Sequence, residues 1–533
     1  MTFLSQKTAV RAVRAVLMLA LSGTAHTQTQ APLDLSDVPQ QVTPSALPEG
    51  WQHGAFMEIF VRSWRDSDGD GVGDLKGVTQ SLDHLHKLGI RGLWLMPITR
   101  SGDGDHGYAT VDFRSIEPAY GTLADFDELI REAHARGMGV IMDYVVNHSA
   151  DTHPAFVESV RDPRGPYRAW YEWRQEHPAG WDIWGRDPWV RTQGGSYLAT
   201  FGAPMPDFNL RNPQVVKYHQ DSLRFWLNRG LDGMRLDAVP HLIENNAKDW
   251  NDQPESRQLT GDLTRLIKSY PGRYVVCEAT AQPRAYANPE VCGGSFAFGL
   301  ESKIAPAAKG DVQAIREVAQ YFVTAPHTLA TFVSNHDQFA GQRLWDQVAG
   351  NEVHYKLAAA TYLLLPGTPF IYYGEDIGMA GAKGLSEDPK IRGPLSWSPD
   401  MKTGGFTSGQ PYRALASNIA THHVQGQTQS AGSIWAFYRD MLALRNGRVS
   451  IARGSYEFAQ TQGQVMAYQR GMGAEHSLVV INYGPQASAL TVEGVDADAL
   501  LRPLFPVGEA RRLASGRLTV PAQSVQVFAL EKE

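Results

Sequence analysis

Short apolar segments recur along the middle of the chain, and each is followed by a segment of helical periodicity. Glycine or proline bounds these segments, and the stretch 122–137 between two of them repeats its apolar residues every three or four positions. Strands that are apolar throughout and alternate with helices are typical of a parallel sheet. They predict a (β/α)8 TIM barrel, with an open doubly wound sheet as the alternative. The eight segments are 55–61, 92–97, 139–145, 233–238, 274–279, 295–300, 329–335 and 369–375.

The strand and helix rhythm is interrupted twice. Residues 148–212 are rich in Pro, Gly and Trp and show no clean pattern, so we expect an inserted domain between barrel parts at 49–147 and 213–448. Its tryptophans are either sugar-stacking platforms or the core of an irregular module. Over residues 449–533 apolar and polar residues alternate, which predicts a C-terminal antiparallel β-sandwich.

Residues 1–25 have the pattern of a secretory signal peptide. Basic residues precede the apolar run 15–25, which ends in small residues. Since this run is too short to span a bilayer, we expect export to a periplasm or to the medium, without a membrane segment. Residues 26–48 are rich in Gln, Thr and Pro and predict a flexible lead-in.

Charge and cysteine content exclude several classes of protein. The formal net charge is −7 and no cluster of Lys and Arg occurs, so nucleic acid and anionic membranes are not expected partners. We expect a monomer. The two cysteines, Cys277 and Cys292, are too few for a disulfide scaffold. In an exported protein they either form one disulfide or remain two buried thiols.

Carboxyl groups follow three of the predicted barrel strands. The C-terminal ends of such strands form the active-site face of a barrel. Asp237 follows the fourth strand, Glu278 the fifth and Asp337 the seventh, so the three side chains converge at one mouth. Each alone is more often a helix cap than a catalyst, but their joint position is hard to obtain by chance.

Paired carboxyl groups suit the cleavage of an acetal with net retention of configuration. We assign Asp237 as the nucleophile, because Arg235 lies two residues earlier, points to the same face and keeps the carboxylate ionised. We assign Glu278 as the acid, because its anionic neighbours favour its protonated form.

Five motifs resemble those of the α-amylase family of glycoside hydrolases, and the resemblance extends over essentially the whole mature chain. They are 106-HGY-108, 143-DYVVNH-148, 233-GMRLDAVPH-241, 275-VVCEA-279 and 332-FVSNHD-337. The resemblance implies Asp237 as nucleophile, Glu278 as general acid/base, and Asp337 as the carboxylate that holds the hydroxyls of the distorted sugar. It also identifies the insert as domain B and the C-terminal sandwich as domain C. The implied sugar-binding residues are His106, Tyr108, His148, Arg235 and His336, with His241 on the leaving-group side.

The segment 65-RDSDGDGVGDLKG-77 places four aspartates in a glycine-rich turn. Alternate Asp side chains fold their oxygens around a hard cation, and glycines permit the tight turn. In the branch of the family that resembles oligo-1,6-glucosidases this loop binds calcium, so the resemblance implies Ca2+ as a cofactor. An exposed acidic turn is the alternative, while an EF-hand is excluded because the twelfth-position Glu and the helix pair are missing. The implied ligands are Asp66, Asp68, Asp70, Asp74 and the carbonyl of Val72.

We predict an exported α-amylase that cleaves internal α-1,4 bonds of starch-type glucans. The motif 205-MPDFN-209 resembles that of α-amylases intermediate between oligo-1,6-glucosidases and neopullulanases. Pro240 stands where many α-amylases have Lys, so the alternative is an exo-acting α-glucosidase or a cyclodextrin- or maltose-processing enzyme, with possible transglycosylation. Binding or transporter-accessory members of the fold lose the three carboxylates, which this chain retains.

Overall fold

The structure, a computed structural model, describes residues 33–530. The predicted signal peptide at 1–25 and the first part of the predicted lead-in lie outside the described residues. No helix within the described part of the chain combines the length and the apolar character that a membrane crossing needs.

The eight predicted strands form one parallel sheet that closes on itself. Phe56 in the first strand lies opposite Gly92 in the second and Phe370 in the eighth. A bridge between Thr331 and Pro369 joins the seventh strand to the eighth. The predicted barrel is confirmed, and the doubly wound alternative is wrong because that sheet has two open edges. The strands are β1 Phe56–Ile59, β2 Gly92–Leu95, β3 Gly139–Tyr144, β4 Gly233–Leu236, β5 Tyr274–Cys277, β6 Ser295–Phe296, β7 Leu329–Ala330 and β8 Phe370–Tyr372.

Helices connect the strands, and capping side chains define where they begin. The helix Leu123–Ala135 begins with a capping box, in which Thr122 accepts from the Asp125 N–H and Asp125 accepts from the Thr122 N–H. Its buried face supplies Phe126 and Leu129 to the core. The longer helices of the barrel are Leu75–Gln80, Leu82–Leu88, Leu123–Ala135, Pro213–Asn228, Pro254–Lys268, Glu301–Ala308, Val312–Thr324, Glu352–Leu364 and Ile434–Gly447.

Aromatic side chains fill the interior of the barrel below the active-site face. Phe56 stacks on Phe370 with ring centroids 4.8 Å apart, and Phe296 lies 5.2 Å from Trp94 and 4.9 Å from Phe370. The Trp94 indole N–H donates to Asp143 Oδ2 at 3.2 Å. This layer therefore supports the polar groups above it and closes the barrel to water from below.

Domain B contains a three-stranded antiparallel sheet of Trp173–Arg174, Gly195–Leu198 and Trp189–Thr192, together with the helix Pro154–Arg161. Trp170 and Trp189 are buried, as the core interpretation predicts, whereas Trp184 is exposed. Trp170 and Trp189 therefore belong to the core of the insert, and Trp184 remains a candidate platform for a sugar.

The C-terminal domain contains two antiparallel sheets, which confirms the predicted sandwich. Apolar side chains between the sheets, such as Val480, Leu490 and Phe528, form a separate core. The larger sheet comprises Glu457–Gln462, Val465–Met472, Glu475–Asn482, Ser524–Leu530, Leu500–Phe505 and Arg511–Arg512, and the smaller one Ser488–Thr491 and Arg517–Val520.

Residues 33–48 run as irregular chain along the barrel, whereas the sequence predicts a flexible lead-in. The Val38 N–H donates to Asp221 at 3.3 Å, and the Gln41 N–H donates to Asn228 at 2.9 Å. These bonds attach the segment to the helix that carries both acceptors. Composition predicts flexibility because it does not reveal such tertiary partners.

The two cysteines form a disulfide that joins the end of β5 to the segment before β6. Both residues are fully buried. Of the two alternatives left open by the sequence, the structure contains the disulfide, and Cys277 directly precedes Glu278.

Candidate active site

A pocket of about 230 Å3 opens at the C-terminal ends of the barrel strands. Asp237 directly follows β4 and Glu278 directly follows β5, as expected for a barrel of this kind. A hairpin of Thr99–Ser101 and Thr110–Ile116 between β2 and β3 carries two more of the expected residues in its loop. The pocket lining includes His106, Tyr108, His148, Asp237, Glu278 and Asp337, all of which the sequence singled out.

The buried guanidinium of Arg235 lies at the centre of a cluster of carboxyl groups. Its Nη1 is 2.7 Å from Asp143 Oδ1 and 2.5 Å from Asp237 Oδ1, and its Nη2 is 2.9 Å from Glu278 Oε2. The sequence predicts that Arg235 pairs with Asp237 alone, and this prediction is wrong because Arg235 also bonds Glu278. Because Arg235 bonds both reacting carboxyls, its position does not by itself distinguish nucleophile from acid.

Burial changes the protonation of the carboxyl groups in this cluster. It raises the pKa of Asp237 well above its usual range, and the Arg235 guanidinium opposes that shift. Burial likewise raises the pKa of Asp143 to about 6, again against Arg235. Three carboxyl groups around one guanidinium favour the uptake of a proton. The cluster is therefore suited to hold one ionised and one protonated carboxyl side by side.

His336 connects the cluster to Asp337. Its Nδ1 is 2.6 Å from Glu58 Oε1, and its Nε2 is 2.6 Å from the Tyr108 hydroxyl and 3.2 Å from Asp337 Oδ2. The Tyr108 hydroxyl donates its own hydrogen to Asp143 Oδ2, so it accepts a hydrogen bond from the Nε2–H group of His336. Burial lowers the pKa of His336 well below its usual value. The network thus fixes a ring nitrogen that donates toward the pocket.

Glu58 and Asp143 are site residues that the sequence analysis did not select. Glu58 lies in β1 two positions after Phe56, so both side chains point into the barrel. The available signal was an acidic residue inside an otherwise apolar strand, since such residues are rarely buried without a partner. Asp143 carries the same signal in β3.

His148 presents a free acceptor in the pocket wall. Its Nδ1 lies 3.0 Å from the Asn147 side-chain oxygen and donates to it, which leaves Nε2 as an acceptor. Within residues 33–530 this Nε2 atom is buried and has no hydrogen-bond partner. Burial lowers the pKa of His148 to about 3, so the ring is neutral near pH 7. A sugar hydroxyl is a suitable donor to it.

His241, expected on the leaving-group side, does not line the pocket itself. Its ring lies 5.7 Å from that of Phe201, which does line the pocket. Burial lowers the pKa of His241 to about 4, and the nearby Glu278 carboxylate opposes the shift. His241 is therefore a neutral ring just behind the wall that contains Glu278.

An ion pair that the sequence did not predict lies beside the pocket. Asp105, which precedes His106, lies 2.8 Å from Arg413. Arg413 also donates to the carbonyl of Arg392, whose own Nη2 is 2.9 Å from Asp337 Oδ1. The pair joins the His106 wall to the Arg392 wall. No local pattern reveals it, because the partners are far apart in the chain.

The acidic loop brings three of its five predicted ligands together. Carboxylate oxygens of Asp66, Asp68 and Asp74 lie within 4.8 Å of one another. Asp70 lies outside this group and accepts from the Val72 N–H at 2.7 Å. An all-oxygen donor set fits a hard cation such as Ca2+, which these three carboxylates would hold.

Contacts with Thr407 and Gln410 of the same chain fix the shape of the acidic loop. A Cβ at Gly71 would lie 2.1 Å from the Gln410 carbonyl oxygen, and Gly71 has φ +93°. Asp66 Oδ2 accepts from the Thr407 hydroxyl and the Gly71 N–H, while Asp74 Oδ1 accepts from the Gly77 N–H. Glycine is needed at position 71 for both conformation and space.

Comparisons with known proteins agree with this architecture. The family model "Alpha amylase, catalytic domain" matches residues 58–454. Alpha-amylase 3 of Dictyoglomus thermophilum is 35% identical over 449 residues, which cover 81% of this chain and 85% of that protein. The trehalose synthase/amylase of Mycolicibacterium smegmatis is 33% identical over 479 residues, which cover 79% and 80%. The crystal structure of trehalose-6-phosphate hydrolase of Bacillus licheniformis is 25% identical, has a TM-score of 0.78 and covers 92% of this chain and 100% of that one.

Proposed function

Because this chain belongs to the α-amylase family of glycoside hydrolases, we propose that it is an exo-acting enzyme that removes or transfers terminal glucosyl units of α-glucosides. This is the alternative raised by the sequence, rather than its main prediction of an endo-acting α-amylase. The names of the similar proteins include an amylase, a trehalose synthase and a hydrolase of a disaccharide phosphate. The family chemistry is common to all of them, so the shape of the site must distinguish among them.

The observation that carries the proposal is the ion pair between Asp105 and Arg413 beside the pocket. An enzyme that cuts within a chain needs a cleft in which glucan extends to both sides of the cleaved bond. We infer that this pair, which joins the His106 wall to the Arg392 wall, closes one side of the pocket of about 230 Å3, so that the pocket suits a single terminal sugar ring. The leaving group then extends away from the closed side.

A retaining mechanism is typical of the family, and the cluster around Arg235 suits it. Asp237 attacks the anomeric carbon while Glu278 gives its proton to the leaving oxygen, which forms a covalent glucosyl-enzyme. Retaining enzymes hold their two carboxyl groups about 5 Å apart, and here Asp237 and Glu278 both bond to the guanidinium of Arg235. Water or a sugar hydroxyl then attacks, and Glu278 takes its proton. Asp337, held by Arg392 and His336, binds hydroxyls of the distorted ring.

A time course of products from soluble starch, maltotriose and maltose tests the proposal. Exo action gives glucose, with or without transfer products, from all three at the earliest times. Early mixed oligosaccharides from starch would instead support the endo-acting α-amylase.

Arg413→Ala removes the closing ion pair, and Arg439→Ala removes an exposed pair on the barrel surface as a control. Loss of the end wall should raise KM for maltose by about tenfold, since tenfold corresponds to one displaced hydrogen-bonded contact of about 1.4 kcal/mol. Equal KM values for the two variants would count against the closed pocket as the cause of exo action.

Two further properties are proposals. Export is supported by the signal-peptide pattern of residues 1–25. Calcium binding is supported by the converging oxygens of Asp66, Asp68 and Asp74.

A further inference from the structure

Trp184 differs from every other tryptophan of the chain in its exposure. All 13 tryptophans lie within the described residues, and the others are buried or half-buried. Trp184 is 52% exposed, although it contacts other rings. A single exposed apolar side chain is common on protein surfaces, so the backbone and the neighbours of Trp184 decide whether its exposure has a function.

The backbone at Trp184 is also in a conformation that its side chain disfavours. Ile183 and Arg186 exchange both backbone hydrogen bonds, so Trp184 and Gly185 form a two-residue hairpin turn. Their φ angles are +51° and +78°, the signature of a type I′ turn. Such a turn prefers Asn followed by Gly, and a bulky residue at positive φ is a genuine outlier. The turn alone therefore does not explain a tryptophan at this position.

Trp184 belongs to a group of four rings, hereafter the aromatic cluster, beside the pocket. Its ring centroid lies 5.2 Å from that of His241, 5.6 Å from Phe201 and 5.7 Å from Trp250. His241 and Trp250 are stacked at 5.5 Å with an interplanar angle of 12°. Phe201 lines the pocket, and His241 lies near enough to Glu278 to feel its charge. The aromatic cluster thus continues the wall on the side of the expected proton donor.

We propose that Trp184 is the platform on which the sugar of the leaving group, and later the sugar acceptor, packs its apolar face. The proposal rests on the proposed function and adds the residue that selects for a second sugar. A pyranose ring presents C–H groups on one face, and an indole supplies a large apolar surface with little conformational freedom to lose.

The same platform controls the fate of the glucosyl-enzyme. In transfer, the acceptor hydroxyl oxygen bonds to the anomeric carbon, the bond from that carbon to Asp237 breaks, and the hydroxyl proton passes to Glu278. A sugar held on Trp184 competes with water for this step because it is already positioned. Removing the indole therefore shifts the enzyme toward hydrolysis as well as weakening long substrates.

The turn offers a variant that removes the ring without harming the fold. Trp184→Asn places the preferred residue in the type I′ turn, and Trp184→Phe retains an aromatic ring. Phe458→Asn is the matched control, because Phe458 is also exposed, also has positive φ (+50°), and lies in the C-terminal domain. Melting temperatures of all three variants show whether folding is preserved.

The test compares maltotriose, which has leaving-group sugars, with α-glucosyl fluoride, which has none. For Trp184→Asn the ratio of kcat/KM for maltotriose to that for the fluoride should fall about tenfold, and Trp184→Phe should retain most of it. Transfer products from the fluoride with added maltose should fall in parallel. An unchanged ratio in Trp184→Asn, or the same fall in Phe458→Asn, overturns the proposal.

A binding measurement separates this proposal from the proposed function. Maltotriose is titrated into Asp237→Asn with and without Trp184→Asn, and tryptophan fluorescence is followed. If the wild type turns over neither substrate, the proposed function fails, whereas a dissociation constant raised about tenfold by Trp184→Asn still supports the platform. Equal dissociation constants overturn the platform whatever the activity.

Discussion

Two regions of this molecule contain clusters of acidic side chains, the pocket and the acidic loop, and the negative charge of these side chains is balanced in different ways. In the pocket, Asp143, Asp237 and Glu278 surround the buried guanidinium of Arg235. In the acidic loop, no arginine or lysine lies within ion-pair distance of Asp66 or Asp68 among the described residues, and backbone N–H groups bond their oxygens instead.

The difference shows why one cluster suits catalysis and the other suits a structural cation. A side-chain cation shared among buried carboxyls leaves one of them easy to protonate, which acid catalysis needs. Backbone donors keep carboxylates ionised and oriented, which a hard cation needs. The same residue type therefore has two uses, and the burial and the partners decide between them.

The largest expected effect comes from removing a carboxylate of the pocket. Asp237→Ala should lower turnover of an activated α-glucoside by roughly 10⁴-fold or more, because the covalent intermediate cannot form. Azide should restore activity from the vacated face and give the β-azide. Glu278→Ala should slow cleavage of natural linkages by about 10²- to 10⁴-fold, yet let azide trap the intermediate as the α-azide. NMR of the two products assigns the roles that the shared Arg235 leaves open.

Asp68→Ala, from the acidic loop, is the control for these variants. It should retain turnover, because Asp68 does not line the pocket. Exchange of the two azide products, or normal starch cleavage by either pocket variant, would contradict the assignment.

Replacing Arg235, the buried guanidinium of the pocket, should have the next largest effect, and this effect is on the stability of the fold. Arg235→Gln leaves buried carboxylates unpaired and should lower the free energy of unfolding by about 3–5 kcal/mol at pH 7. Without Arg235 the folded-state pKa values of Asp143 and Asp237, which burial already raises, rise further above their unfolded values. The penalty is then fully present at high pH and disappears as pH falls toward the unfolded values near 4.

Denaturant unfolding at pH 7 and pH 5 measures this recovery, and Arg470→Gln is its control. Arg470 is equally buried, and among residues 33–530 its hydrogen bonds go to the backbone carbonyls of Ser455, Leu364 and Gly454. Its loss should destabilise the fold without recovery at pH 5. If both variants respond to pH in the same way, the loss of stability in Arg235→Gln does not come from unpaired buried carboxylates.

The smallest expected effect is on the acidic loop. A chelator should lower the melting temperature by a few degrees, because a ligand that binds only the folded state stabilises it by mass action. Asp68→Asn should abolish this sensitivity, and Asp70→Asn, whose carboxylate lies outside the group of three, should reduce it only in part. Asp400→Asn, in another exposed turn, should leave it intact. If elemental analysis finds no bound metal and a chelator does not change the melting temperature, the loop is an acidic turn that binds no metal.

Strand β1, which contains Glu58, shows which features of the site could be predicted from the sequence and which could not. Strand positions and ends were readable, so Asp237, Glu278 and Asp337 were placed at the mouth. Glu58 was visible as an anomaly within 55–61, but its partner His336 was not, because hydrogen bonding across a barrel depends on side-chain direction. The assignment of Arg235 to a single carboxylate was wrong for the same reason.

Local pattern determined the alternation of strands and helices in this protein, and it predicted the barrel with one alternative. Apolar segments of strand length that alternate with amphipathic helices form a parallel sheet with both faces buried, either closed as a barrel or open and doubly wound. The pairing of β1 with β8 decided for the closed barrel, which brings the ends of the strands to one side. Tertiary structure alone decided the disulfide, the ion pair of Asp105 and Arg413 beside the pocket, and the ring contacts of Trp184. Each of these depends on how irregular loops approach one another across the barrel mouth, and loop geometry is set by packing and long-range partners rather than by a repeating period.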